Sequence, residues 1–381
     1  MNFVPPRLFE TIAYESEDPA TLVLLEKMTE EGKITLDYKQ VPAEEAPAAK
    51  DPAEEAPAAE SPAAKEPAEM TAEELCEAGK EAFNAGDYEK AKELYEQAIE
   101  KGSAEALNGL AYLYDFGLGV EQSTEKAVEY YRQAADRGIA KAQYNLGVMY
   151  GQGTGVEQSY EKAVEYWQQA ADQGNADAQY NLGQLYRNGT GVEQSYEKAL
   201  EYYQLAADQG MAQGLCNLGW MYDMGLAVEQ SHEKAAEYYA LAAEQGQTHA
   251  MLNLGGLYKD GTGVEQSYEK AMELFQQAAD LGDPTGLNDI GDLYENGFGV
   301  EQDYGKAMEY YQQALEQGCD LALVSIGQMY EKGHGVEQSA ETALEYYRKA
   351  YESGDPDAIA FLDSLAAEGI ITEDYKTAPA K

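Results

Sequence analysis

The sequence predicts an all-α fold: a right-handed α/α superhelical solenoid of about eight helix-loop-helix repeats, closed by a C-terminal half-repeat cap. Three observations carry that prediction. The stretch Ala140 to Asn175 overlays Ala176 to Met211 after a shift of 36 residues, and seven such units run without a gap from Ala104 to Asp355. Within a unit, apolar residues recur at helical spacing on two segments: Leu146, Met149 and Tyr150 on the first, and Ala163, Tyr166, Trp167 and Ala170 on the second. A loop bracketed by Gly153 and Gly155 separates the segments, as expected where the backbone turns through conformations closed to other residues. A period of this length marks an array in which no unit buries its apolar face alone.

Three parts precede the array. Ala13–Ala43 and Ala350–Ala380 share 16 identities in 31 positions. Each reads as the end of a helix, an Asp-Pro start, one amphipathic helix and a glycine stop. Residues 1–41 are therefore a half-repeat resembling the C-terminal cap of residues 356–381. Residues 42–70 carry proline at every fifth position from Pro42 to Pro67 and have no core-forming residues, so they are read as a disordered Pro/Ala/Glu linker. Its reach is at most roughly 90 Å. Residues 71–103 read as helix, short turn at Asn84–Asp87, helix, with Asp87 capping the second helix in a tetratricopeptide-like opening repeat.

Each 36-residue unit of residues 104–355 then has the same parts. In the second unit Ser159 caps the second helix, Glu161 meets the positive end of its dipole, Val156 fills the gap between helices, and Gly174 ends the unit. Gly147 and Ala163 are small where two helices approach closely. The set Leu146-Gly147, Tyr150, Gly153-x-Gly155-Val156, Lys162-Ala163, Tyr166-Trp167, Ala170-Ala171 and Gly174 closely resembles the Sel-one-like repeat (SLR) family, a relative of the tetratricopeptide repeats with a longer loop between its helices. The resemblance implies an α/α superhelix that serves as an adaptor or scaffold for protein complexes. Some relatives staple each unit with a disulfide. Here Cys76, Cys216 and Cys319 lie in different units, which predicts reduced thiols. The array departs from its own pattern at Ala227 (for the second loop glycine), Asp303 (for the capping serine), Gly305, Ala340 and Thr342.

Charge narrows the function. The chain has 70 acidic and 26 basic residues, a net charge of −44. It lacks the basic stripe that a nucleic-acid partner or an anionic membrane needs. The acidity is either a solvated outer surface or a preference for basic partners. The opening MNFVPPRLFE lacks a basic start followed by an apolar run, and no apolar run reaches membrane-spanning length. The expectation is a cytoplasmic protein, with export by another signal left open. The histidines His232, His249 and His334 have no partner at metal-ligand spacing, and the G-x-G loops join helices rather than follow a strand. No nucleophile–base pair is legible. No catalytic residue, cofactor or metal is assigned, and the chain is read as a non-enzyme.

Comparison between units separates frame from variation. Nearly constant positions are read as packing: the helix-A leucine, glycine and tyrosine (Tyr114, Tyr150, Tyr186, Tyr222, Tyr258, Tyr294 and Tyr330, taken as core) and the Val-Glu-Gln of the loop. The second, fifth, ninth, twelfth and thirteenth places of helix A vary and share one helical face. A fixed frame with one variable stripe predicts a concave reading surface. Aromatics and arginine dominate such contacts, which nominates Tyr112, Phe116, Tyr144, Tyr180, Arg187, Trp220 and Met224 as partner-binding residues. The stripe becomes acidic toward Asp292, Glu295 and Glu331, so an extended peptide or protein partner with an apolar and a basic segment is expected. The alternative is structural: self-association through residues 1–43, the duplicated cap building oligomers.

Overall fold

A computed structural model of the chain describes residues 69–376. The half-repeat expected over 1–41 and the linker expected over 42–70 lie outside these residues, except for Glu69 and Met70. Every regular element among the described residues is helical, with seventeen α-helices and the short 3-10 segment Glu373–Lys376. They fall into two compact units dividing between Tyr166 and Trp167.

The first unit opens with α1 (Ala72–Asn84) and α2 (Tyr88–Glu100). Thr71 and Glu74 form a reciprocal capping box at the start of α1, and Asp87 accepts the Lys90 amide at the start of α2, as its position predicts. There follow α3 (Ala104–Phe116), α4 (Thr124–Ala135), α5 (Ala140–Gln152) and the start of α6 (Tyr160–Asp172). Leu75, Leu94, Tyr95, Ala98, Leu110 and Leu113 form its core between α1, α2 and α3.

The second unit continues with the pairs α7 (Ala176–Asn188) and α8 (Tyr196–Asp208), α9 (Ala212–Met224) and α10 (His232–Ala243), and α11 (Thr248–Asp260) and α12 (Tyr268–Asp280). Then come α13 (Thr285–Asn296) with α14 (Tyr304–Glu316), α15 (Leu321–Lys332) with α16 (Ala340–Ser353), and the closing helix α17 (Pro356–Ala367). Ala358, Leu362 and Leu365 of α17, with Ile371 and Tyr375 beyond it, bury against Leu323, Val324, Tyr347 and Ala350 of α15 and α16. Asp355 caps α17 by accepting the Ala358 amide, and Pro356 occupies the first helical turn, where a missing N–H costs nothing.

The constant residues build one joint over and over. Helix A ends on a left-handed glycine, for example Gly189 at φ 68°. The loop glutamine then folds back: Gln194 donates to the Arg187 carbonyl at 2.7 Å, and Gln122, Gln158, Gln230, Gln266, Gln302 and Gln338 do the same at the matching carbonyl. The recurrent Val-Glu-Gln thus satisfies helix-end carbonyls that would otherwise lack a partner. The next serine caps helix B, and Asp303 does so equally well where it replaces serine.

The second loop glycine is demanded by its neighbour. A Cβ on Gly263, at φ 71°, would stand 2.3 Å from the His232 carbonyl carbon of the preceding repeat. Ala227 is the single non-glycine residue with positive φ among the described residues, at 58°, and it carries the local strain its sequence departure implies.

One packing assignment is corrected. Of the repeated helix-A tyrosines only Tyr150 is buried; the others are half-buried. In every repeat but the fifth, where Leu274 takes the ring's place, they stack on the first of two adjacent aromatic rings of helix B, as Tyr114 on Tyr130 at 5.8 Å and Tyr186 on Tyr202 at 5.7 Å. In repeats one to six a lysine such as Lys126 or Lys198 lies over the tyrosine. The inner ring is the following residue of helix B: Tyr95 and Tyr131 in the first unit, and Tyr203, Tyr239, Phe275, Tyr311 and Tyr347 in the second. It lies flat on helix A, and from repeat three onward a glycine stands beneath it where a Cβ would collide, whereas repeat one carries Ala111 at that place. A Cβ on Gly183 would sit 2.6 Å from the Tyr203 ring, and one on Gly327 2.5 Å from Tyr347. The two periodicities are hard to tell apart in sequence because both rings are aromatic and adjacent.

Candidate binding face

In the first unit, Tyr112 and Phe116 of α3 meet at 4.4 Å between ring centroids. Phe83 of α1 stands edge-on to Tyr112 at 5.7 Å and to Tyr88 at 5.4 Å. The four rings form one half-buried aromatic patch spanning the opening repeat and repeat one. Tyr144 is half-buried on α5.

In the second unit, Arg187 of α7 lies over the Trp220 ring of α9 at 5.3 Å and donates through Nη1 to Asn217 and through Nε to Asn188, each at 3.2 Å. This cation–π stack joins two repeats on the variable stripe. Met224, one turn beyond Trp220, is 52% exposed. Tyr180 is turned inward: its hydroxyl accepts from Gln184 at 2.8 Å, and Gln184 in turn accepts from the buried Tyr203 hydroxyl at 2.8 Å. Burial pushes the Tyr180 and Tyr203 phenols up from the ordinary tyrosine value. Of the predicted residues, the structure brings together Tyr112 with Phe116 and Arg187 with Trp220. Phe83 and Asn217 complete these groups and were not predicted. Asn217 sits at a place that is asparagine in repeats two to five, so comparison between units offers no sign of it.

The acidic end of the stripe is corrected. Glu295 is 4% exposed and accepts from the Tyr311 hydroxyl at 2.8 Å, from Lys332 at 3.5 Å, and pairs with His334 Nδ1 at 3.0 Å. His334 also stacks on Tyr304 at 4.4 Å. Glu331 accepts from the Tyr347 hydroxyl at 2.7 Å, and Asp292 is paired with Lys259 at 3.0 Å. These carboxylates are committed within the protein. The half-buried Asp289 has its carboxyl pushed up to about 7, first by burial and then by Asp292, against the opposing pull of Lys259.

Much of the variation at the twelfth place of helix A therefore has an internal cause. The inner helix-B tyrosine needs an acceptor. It finds one in Asp115 (for Tyr131), Glu295 (for Tyr311) and Glu331 (for Tyr347). Burial pushes Asp115 up to about 6, and its Tyr131 hydrogen bond opposes that shift. In repeat three the twelfth residue is Arg187, which cannot accept, and Tyr203 turns to Gln184 at the ninth place instead. In repeat five it is Lys259, and the ring is Phe275, with no hydroxyl to satisfy. Buried hydroxyls need partners, and in repeats one, three, six and seven the array supplies them.

Among the described residues no three His, Cys, Asp or Glu side chains are placed to hold a metal ion, and no helix is long and apolar enough to cross a membrane. The three cysteines are buried free thiols, and burial pushes those of Cys76 and Cys319 up, Cys319 to about 11.

Consecutive helix pairs with a fixed joint and one variable helix-A stripe define an α/α repeat protein. Sel1 repeats match residues 104–139, 140–175, 176–211, 212–247, 248–283, 284–319 and 321–355, and a tetratricopeptide repeat matches 76–115. The chain belongs to the Sel1 repeat family, whose members are typically protein-interaction scaffolds and generally non-catalytic.

Two similar solved structures are c5321, a protective antigen present in uropathogenic Escherichia coli strains displaying an SLR fold, and a Sel1 repeat protein from Oxalobacter formigenes. The first is 33% identical with a TM-score of 0.63 over 80% of this chain and 66% of that one. The second is 32% identical with a TM-score of 0.58 over 63% of this chain and 96% of that one. The chain thus spans just under two thirds of the length of the E. coli protein. No functionally curated protein matches.

Proposed function

We propose that the chain is a non-catalytic adaptor that holds a peptide or protein segment on the helix-A stripe, read as the concave face. The observation that carries this reading is the contrast along helix A: constant residues are consumed by the joint, whereas Arg187 on Trp220, exposed Met224 and the Tyr112–Phe116 patch answer no internal need shared by the other repeats. Tyr144 occupies the stripe of the first unit and Tyr180 that of the second, Tyr180 chiefly by positioning Gln184. A basic segment of the partner would have to compete with Lys259 for Asp292, so the apolar and aromatic contacts are assigned most of the affinity. The buried reduced thiols favour a cytoplasmic site of action.

The test is affinity capture from the native cell with the intact chain beside a Trp220→Glu, Tyr112→Glu variant of unchanged helicity. A partner held by the first and lost at least tenfold by the second is the expected result. Equal capture by both would remove the stripe from the binding surface.

A second reading, self-assembly, is favoured by one observation. The C-terminal cap seals its array with Leu362, Leu365, Ile371 and Tyr375, and the aligned residues of the N-terminal copy are Leu25, Met28, Ile34 and Tyr38. Asp363, which accepts from Tyr375 and Lys376, aligns with Glu26, and Lys376 aligns with Lys39. In a second copy this set would take the place of that copy's own α17, an exchange of equivalent elements. Mass that rises with concentration, and falls to the monomer on deleting residues 1–43, is the expected outcome; mass indifferent to the deletion excludes this route.

A further inference from the structure

Repeat four breaks the rule by which each inner tyrosine meets an acceptor. Tyr239 is 0% exposed, and its hydroxyl has no hydrogen-bond partner. The twelfth residue of its helix A is nevertheless a carboxylate, Asp223, the type that serves Tyr131, Tyr311 and Tyr347. Asp223 is drawn elsewhere: its Oδ1 lies 2.7 Å from His232 Nδ1. His232 is itself the exception at the first place of helix B, where repeats two, three, five and six carry Tyr160, Tyr196, Tyr268 and Tyr304. One carboxylate therefore stands between two claimants, a titratable imidazole and a buried hydroxyl.

We propose that Asp223 is a two-position carboxylate, held by His232 when the imidazole is charged and passed to the Tyr239 hydroxyl when it is neutral. Asp223 stands at the place of helix A from which Asp115, Glu295 and Glu331 reach their own tyrosines, so the exchange is a side-chain rotation on α9. A charged imidazole binds a carboxylate more strongly than a neutral one. An unpartnered buried hydroxyl pulls the carboxylate the other way. Protonation of the imidazole therefore decides which claimant holds the carboxylate.

The surroundings leave these two as the deciding groups. Glu233 acts on the imidazole and Cys216 of α9 on the Tyr239 side. Lys234 is engaged over the Tyr222 ring, and the Tyr203 hydroxyl of α8 is committed to Gln184. From α11 the core receives the apolar Leu254 and Leu257, and the loop of repeat five lays Gly263 against the His232 backbone. The exchange thus sits at the joint between repeats four and five, on the stripe face that carries Trp220. It stands whether or not that stripe binds a partner.

Amide-exchange protection of α9 and α10 tests it, in the full chain at about pH 5 and about pH 8. In the native background Tyr239→Phe should leave protection unchanged or raised at the lower pH and reduce it about fivefold at the higher, where the hydroxyl has gained its acceptor. In a His232→Tyr background, which restores the residue of four other repeats and frees Asp223 at any pH, Tyr239→Phe should cost the same fivefold at both. A Tyr239→Phe effect that does not change with pH in the native chain overturns the proposal. So does one that keeps its pH dependence after His232→Tyr.

Discussion

Asp289→Asn is expected to stabilise the second unit by on the order of 2 kcal/mol above pH 7, with the gain disappearing as the solution is acidified. The carboxyl is held up to about 7 chiefly by burial, with Asp292 and Asp283 adding to the rise and Lys259 and Asn288 opposing it. An acid whose folded-state value is raised binds more protons folded than unfolded, so its charge costs stability above about 7. That cost is relieved as the pH falls from about 7 toward the ordinary carboxylate value of 3.8, below which both states are protonated. The full shift sets an upper limit of about 4 kcal/mol, which water near a half-buried group reduces to about half. Asparagine suits the place sterically, because Asn145, Asn181, Asn217 and Asn253 occupy it in repeats two to five. Urea midpoints at about pH 8 and about pH 4 provide the check. A gain at the higher pH alone is expected, and an equal gain at both would assign the effect to packing rather than charge.

The frame of this protein is legible in the sequence because it is written seven times. Loop glycines, the glutamine of Val-Glu-Gln and the capping serines each do one local job, and a local job leaves the same residue in every repeat. Asp303 shows the limit of reading departures: it breaks the pattern and keeps the cap, because serine and aspartate offer the same acceptor. The face was legible only in part. Variation at the ninth and twelfth places marks Arg187, Trp220 and Tyr112, of which the structure brings Arg187 onto Trp220 and Tyr112 onto Phe116. The same variation marks Glu295 and Glu331, whose identities answer instead to Tyr311 and Tyr347 on the facing helix. A pattern read one helix at a time cannot show a pairing between residue 295 and residue 311. Only the coupled change to Phe275 opposite Lys259 hints at it, since the hydroxyl vanishes where no acceptor remains.

That pairing makes Glu295→Ala the substitution with the largest expected loss, about 3 kcal/mol. Three donors converge on the carboxylate, from α14 (Tyr311), α15 (Lys332) and the loop that follows α15 (His334). Removing it leaves the Tyr311 hydroxyl buried and unpartnered, strips Lys332 and His334 of their acceptor, and opens a void in a well-packed joint. The loss should be partly recoverable. In a Tyr311→Phe background the same substitution should cost about 1 kcal/mol less, because no hydroxyl is left to strand. Phenylalanine fits the site on the precedent of Phe275, which lies flat on Gly255 as Tyr311 lies on Gly291. Denaturation of the two single variants and the double variant closes the cycle. Strict additivity would mean that Glu295 acts through Lys332 and His334, and that the hydroxyl–carboxylate pairing inferred from repeats one, six and seven has no energetic weight.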